Sequence, residues 1–318
     1  MTEEPNSSEM AAALRPARKG RGDAVFAGIS NAVGVLILVT LAGVALFLII
    51  EAWPALTAKA DEIPDGKSLL GYSAPLIYGT LLAALLALLI ATPVALGIAL
   101  FISHYAPKRL AQGLGYLVDL LAAIPSVVYG LWGIVFLAAQ LTPAFAWLEK
   151  HVGWIPLFKG PASPTGRTML TLGIVLAVMI LPIMTAICRE IFLQTPKLYE
   201  EAALALGATR WEMIRMAVLP YGKSGIISAA MLALGRALGE TMAVALVLSV
   251  GGGISLNLIS SENPSTIAAN IALQFPESSG VTINVLIFTG LVLFLITLAV
   301  NLTARWFIAR RSEFSGAN

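Results

Sequence analysis

Charge and cysteine are both scarce in this chain. Only 12% of its 318 residues are Asp, Glu, Lys or Arg, against ~25% in ordinary soluble domains. With 58% apolar residues and a mean hydropathy of +0.86, the composition excludes a water-soluble globule, although the length alone would allow about two soluble domains. The one cysteine, Cys188, cannot close an intramolecular disulfide, so the fold needs no oxidising compartment. The GxxxxGK[ST] pattern of a phosphate-cradling loop is missing, which excludes nucleotide hydrolysis of that kind by this chain. The two histidines, His104 and His151, fall in expected loops, with no metal-ligand spacing and no nucleophile–base set. The alternating pattern of a membrane barrel and any clear internal repeat are also lacking.

What is present is long apolar runs. A helix needs ~20 mostly apolar residues to cross the hydrocarbon core. Six segments qualify: 25–50, 76–102, 114–139, 168–188, 225–250 and 281–309. Lipid offers no partner to backbone N–H and C=O groups, so helices are the expected spanning form. This predicts an all-α membrane protein: a disordered tail over 1–24, a six-span domain over 25–310 and a short tail over 311–318. The first apolar run is too long for the core of a cleavable signal. Basic residues set the orientation. Arg15, Arg18, Lys19, Arg21, Lys108, Arg109, Arg189, Lys197, Arg210, Arg215, Lys223, Arg305, Arg310 and Arg311 fall on one side of six spans, while the loop over 251–280 has none. Both termini are therefore expected in the cytoplasm, with Trp53, Trp147, Trp154 and Trp306 as interfacial anchors. The segment over 140–167, rich in Pro, Gly and Trp, is expected to be an outer loop that meets a partner.

An amphipathic island interrupts this pattern on the cytoplasmic side. Thr195-Pro196 offers an N-cap and a proline suited to a first helical position. Glu200 and Glu201 follow, where the helix dipole favours acid. Leu198, Ala202, Ala205 and Leu206 lie on one side at helical spacing. Gly207 breaks the run. A second stretch carries Ile214, Ala217 and Val218 and ends at Leu219-Pro220. Such a helix–turn–helix can lie on lipid or place apolar anchors in a partner's groove.

The fifth span carries charge. Arg236 and Glu240 are four residues apart, so one helix would turn both the same way. Arginine at membrane depth costs about 2.5–3.5 kcal/mol on insertion scales. Such groups persist when they pair or line a cavity. Two readings stand side by side: an ion pair that locks the bundle, and a polar patch on a translocation pathway where Arg236 meets an anion. Gly235 and Gly239 form a GxxxG pattern that invites close helix packing. In the third span Pro125 frees backbone groups, which is tolerated where the backbone lines water or is buried in protein. Pro125, Ser126 and Tyr129 are therefore candidate pore-lining residues. Asp119 and the Arg189-Glu190 pair are expected at the cytoplasmic interface.

Three motifs carry a resemblance. Glu201-Ala202-Ala203, Gly207, Ala217 and Leu219-Pro220 resemble the EAA loop of bacterial ABC importer permeases, with Ala217 where the family prefers Ile. The stretch LGRALGETMAV, residues 234–244, and DLLAAIPSVVYGLWG, residues 119–133, resemble the permeases of phosphate importers, the PstC type more than its PstA sister. The resemblance implies the type I importer fold, in which Glu201, Ala202, Ala203, Gly207, Leu219 and Pro220 belong to a coupling helix seated on an ATPase. It also implies a role for Arg236 and Glu240 in passage of phosphate. The implied partners are a second homologous permease, an ATP-binding cassette dimer, an outer phosphate-binding protein, phosphate and membrane lipid, with no nucleic acid. ATP and Mg would sit on the ATPase, with no cofactor on this chain and no enzyme activity of its own. The implied location is the bacterial inner membrane. Alternatives remain at this point: a sulfate or molybdate importer, a proton-coupled anion carrier with Glu240 as proton site, and a membrane sensor of phosphate status.

Overall fold

The computed structural model describes residues 21–251 and 253–312. Two units divide the chain, Met1–Ile50 and Glu51–Asn318. In the first, the described residues form most of helix α1 (Arg21–Thr57). None of residues 25–50 is buried. A helix apolar on every side is stable only in lipid or against a partner. Residues 21–24 are already helical here, not part of a loose tail, and Asp23 in the first turn complements the helix dipole. The remainder of that expected tail, and residues 313–318, lie outside the described residues.

The second unit is built around α2 (Leu69–Leu100) and α6 (Met169–Leu193). Ser68 opens α2 by accepting the Gly71 N–H at 3.1 Å. Ala83, Ala87, Ala91, Ala95 and Ala99 then recur every fourth residue, each 1% exposed or less. A stripe of small side chains lets backbones approach closely, the main route to helix packing where lipid is as apolar as leucine. Opposite it, α6 presents larger side chains with no exposure, among them Leu172, Leu176, Ile180 and Phe192. Small against large fills the interface. The last turns of α1 add Ala55 to a satellite core with Tyr72, Ile267 and Leu286, and α12 (Val281–Ser312) donates a hydrogen bond from Asn284 to the Glu51 carbonyl at 2.7 Å.

Among the described residues, six helical stretches are long and apolar enough to span a membrane, but two differ from expectation. The third does not run over 114–139. Residues Lys108–Ala122 form a separate amphipathic helix, α3. The chain then breaks, and the span runs from Ser126 to Val152 as α4 (Ser126–Trp132), a π-helical turn and α5 (Ala138–Val152). Proline explains the shift. It disfavours helix at the residue before it and suits a helix start, so Pro125 is the N-cap of α4, not a kink inside a span. Half of the expected outer loop, 140–152, is consequently helical.

On the side opposite the island, residues 249–266 fold over the ends of α6 and α2. Asn263, 1% exposed, is the hub. Its Oδ1 accepts the Met169 N–H at 3.2 Å, and its amide donates to the Ser249 and Ser260 carbonyls, each at 3.0 Å. A helix buried at its start, α11 (Ile267–Gln274), follows with Thr266 as N-cap. Thr80 on α2 accepts the Ile267 N–H at 2.9 Å.

Candidate functional site

The fifth span is broken where a single helix over 225–250 was expected. Helix α9 (Leu219–Leu238) stops, Gly239–Thr241 are non-helical, and a half-helix α10 (Met242–Val247) starts afresh. The residues at the break explain it. Glycine is a poor helix former, and the side chains beside Gly239 satisfy the freed backbone. Glu240 accepts the Ala243 N–H at 3.1 Å, and Thr241 donates to the Gly239 carbonyl at 3.2 Å. At the far end Arg167 donates to the carbonyls of Leu246, at 3.2 Å, and Leu248, at 3.1 Å. Acid at the N-terminus and arginine at the C-terminus both complement the dipole of α10.

This geometry corrects the ion-pair reading. An i, i+4 pair needs a continuous helix, and Glu240 has left it. Arg236 and Glu240 form no ion pair with each other; the His104–Glu200 contact, at 3.5 Å, lies elsewhere. Glu240, 8% exposed, caps α10 instead. Arg236 stays on α9, half-buried, and its Nε is buried without a hydrogen-bond partner. It lines a groove of about 550 Å³ together with Ser228, Asn301 and Arg305. Asn301 and Arg305 come from α12; in the sequence Arg305 served only for orientation and Asn301 was not singled out. Their signal was a polar pair within an apolar run.

The other sequence-predicted residues divide. Tyr129 is buried and lies within electrostatic range of Arg236. Its hydroxyl donates to the Leu121 carbonyl at 2.8 Å, which ties α4 to α3 across the break. A Cβ on neighbouring Gly130 would stand 2.9 Å from the Ala243 Cα, so α4 packs directly on the half-helix. Ser126 is half-buried and Pro125 exposed. Tyr129 and Arg236 thus converge with Glu240 near the break. Gly235 does not meet the packing expectation within this chain: a Cβ there would find nothing within 4 Å, and one on Gly239 only the Gly235 carbonyl, at 3.6 Å. That face of α9 is open.

The island is a helix, a glycine turn and a helix, as expected, with three changes. Helix α7 (Lys197–Ala205) has Pro196 as its N-cap. Thr195 does not cap; its buried hydroxyl has no partner. Gly207, at φ +85°, closes α7 by a Schellman motif: its N–H reaches the Leu204 carbonyl at 3.0 Å and the Ala208 N–H reaches the Ala203 carbonyl at 3.2 Å. Thr209 and Glu212 form a capping box for α8 (Arg210–Met213). From there the helix does not end at Leu219-Pro220. It runs through a π-helical turn, Ile214–Val218, into α9, because proline is tolerated in a first turn.

The two faces of the island have separate jobs. Ala203, Met213, Ile214 and Val218 are buried in the core of the second unit. Glu201 and Ala202 are exposed, and Leu198, Tyr199, Leu206 and Trp211 are 57–87% exposed. Large apolar groups held outward by a capped, rigid turn need a covering surface.

Comparison with known proteins matches this architecture. Residues 91–313 match the family described as binding-protein-dependent transport system inner membrane component. A phosphate transport system permease protein PstC 2 of Mycobacterium tuberculosis is 44% identical over 92% of this chain and 93% of its own length. PstC of Mesorhizobium japonicum is 39% identical over 93% of this chain and 92% of its own. Among solved structures, a bacterial ABC transporter that imports the acidic polysaccharide alginate superposes with a TM-score of 0.56 at 17% identity, over 90% of this chain and 98% of that one, a likeness of fold. With the broken fifth span and the capped island in place, the chain belongs to the inner-membrane components of binding-protein-dependent transport systems.

Proposed function

We propose that this chain is the permease subunit of an ATP-driven phosphate importer, with Arg236 on its translocation pathway. One observation carries the pathway: a guanidinium within the fifth candidate span whose Nε is buried and unpartnered, in the wall of a groove that also holds Arg305. An unpaired cation in lipid is costly and is kept for what it binds. An oxyanion supplies the missing acceptors, and the guanidinium fork fits it. The substrate follows from the PstC relatives, 39–44% identical over more than nine-tenths of this chain.

In this reading Glu240 holds the half-helix α10 beside the pathway, and Pro125, Ser126 and Tyr129 line it. The open face at Gly235 and Gly239 takes a helix of a second, homologous permease. The outward groups of α7 and α8, with Glu201, Ala202, Ala203 and Gly207, seat the coupling helix in a groove of the ATPase. Leu219 and Pro220 pass its displacement into α9. ATP and Mg bind on that partner, which performs the hydrolysis. A phosphate-binding protein delivers the ion from outside to a domain spanning 25–310, and both termini face the cytoplasm.

The test is ATP-dependent uptake of radiolabelled phosphate in cells lacking their own importer, with the neighbouring transport genes co-expressed. Wild type takes up phosphate against excess sulfate and molybdate, and Arg236→Gln assembles but does not transport. Competition by sulfate or molybdate would overturn the substrate. Normal uptake by Arg236→Gln would overturn the pathway.

A further inference from the structure

A second basic site lies beside the island, and no step of the transport reading uses it. Arg189, near the end of α6, was expected at the interface beside Glu190. Instead its guanidinium packs across α3: a Cβ on buried Gly115 would collide with Arg189 Nη1, so the glycine makes the space for it. Arg189 Nε is buried and has no hydrogen-bond partner. The guanidinium opens into a pocket of about 630 Å³, a size suited to a small ligand or headgroup. Lys108 at the start of α3 and Lys197 at the start of α7 line the same pocket, with Gln112 and Tyr116. Asp119 is the one acid in the lining, and it makes no ion pair with Arg189 among the described residues. The nearby Glu200 carboxylate is engaged elsewhere, 3.5 Å from His104 Nε2. Three cations therefore face one carboxylate, and the best-anchored of them lacks an acceptor.

From this arrangement we infer that the pocket binds an oxyanion of the phosphate class. An unpaired buried guanidinium donor carries a free-energy cost that an accepting anion removes. The planar fork suits phosphate, and two flexible lysines add charge without demanding geometry. Two sources share this chemistry: the phosphodiester of an anionic lipid, for which basic pockets at the ends of spans are suited, and free inorganic phosphate. Whichever fills it, the ligand joins the end of α6, the start of α3 and the start of α7, and so stiffens the base of the island. The inference requires neither the substrate nor the orientation proposed above.

Hydrogen exchange on the assembled complex in phosphatidylcholine nanodiscs tests it. One arm adds phosphatidylglycerol to the bilayer, and the other adds inorganic phosphate to the buffer. At a ligand level ten times its Kd, amides of 108–122 and 197–205 that exchange by local opening should slow about tenfold. Arg189→Gln should lose the response, and Asp119→Asn should respond at several-fold lower ligand. A response in the lipid arm alone makes the ligand a lipid headgroup, and in the phosphate arm alone a free ion. No slowing in either arm, or equal slowing in wild type and Arg189→Gln, overturns the site. If Arg189→Gln fails to assemble, the Asp119→Asn shift decides, and an unshifted response overturns it. None of these readouts depends on transport, so failure of the importer reading leaves them intact.

Discussion

Replacing Gly207 isolates the island's turn from everything else. The residue sits at φ +85°, and a Cβ there would meet nothing within 4 Å. An alanine therefore meets no clash, and its whole cost is backbone strain: about 1–2 kcal/mol for an L-residue in the left-handed region. That lowers the population of the native turn roughly 5- to 30-fold. The Schellman bonds from Gly207 and Ala208 weaken with it, and Leu206 and Trp211 lose their fixed relation. Asparagine tolerates this conformation better than alanine, and a β-branched residue far worse. The expected order of coupled uptake is Gly, Asn, Ala, Val, with ATP hydrolysis by the assembled complex falling less than transport. Gly97→Ala is the control: it too meets nothing within 4 Å, but lies inside α2 without a positive φ, so uptake should not fall. Equal uptake by Gly207→Val and wild type would refute the reasoning, as would a Gly97→Ala loss as large as that of Gly207→Ala.

Other substitutions probe the parts that hold the break and the core. Glu240→Ala removes the acceptor for the Ala243 N–H and should cost about 0.5–2 kcal/mol at the start of α10, while Glu240→Gln keeps an acceptor and should lose less; thermal unfolding of the purified complex ranks them. Asn263→Leu strands the Met169 N–H and the Ser249 and Ser260 carbonyls, at about 1–3 kcal/mol for each group that finds no other partner, so protease protection of 249–266 should collapse. Ala91→Leu overfills a site with no exposure and should lower stability by about 1–3 kcal/mol, visible as a drop in the unfolding temperature. Unchanged stability in that variant would mean α2 and α6 are not close-packed there.

Legibility in the sequence followed the range of the physics. Apolar run length depends only on local composition, so six spans were readable. The island was readable too, because glycine, proline and small-residue spacing act within a few residues. The misplacements all involve competition between local signals. Pro125 could kink a span or begin one, and only the packing of Gly130 on Ala243 selects the second. Thr195 could cap, but its side chain is buried and Pro196 takes the position. The Arg236–Glu240 spacing pointed to a pair only on the assumption of an unbroken helix.

That assumption failed for a reason with functional weight. Breaking a span at membrane depth exposes backbone groups that lipid cannot satisfy. Here side chains nearby satisfy them: Glu240 and Thr241 at the start of α10 and Arg167 at its end. The partner that a continuous helix would have given Arg236 is thereby spent on the backbone, and the arginine, in the lining of a groove, keeps an Nε donor with no acceptor. A chain that needed only a stable bundle would gain by keeping the helix whole and the charges paired. On the pathway reading proposed above, an arginine left unsatisfied among groups that satisfy one another is where the cargo would supply the missing acceptor.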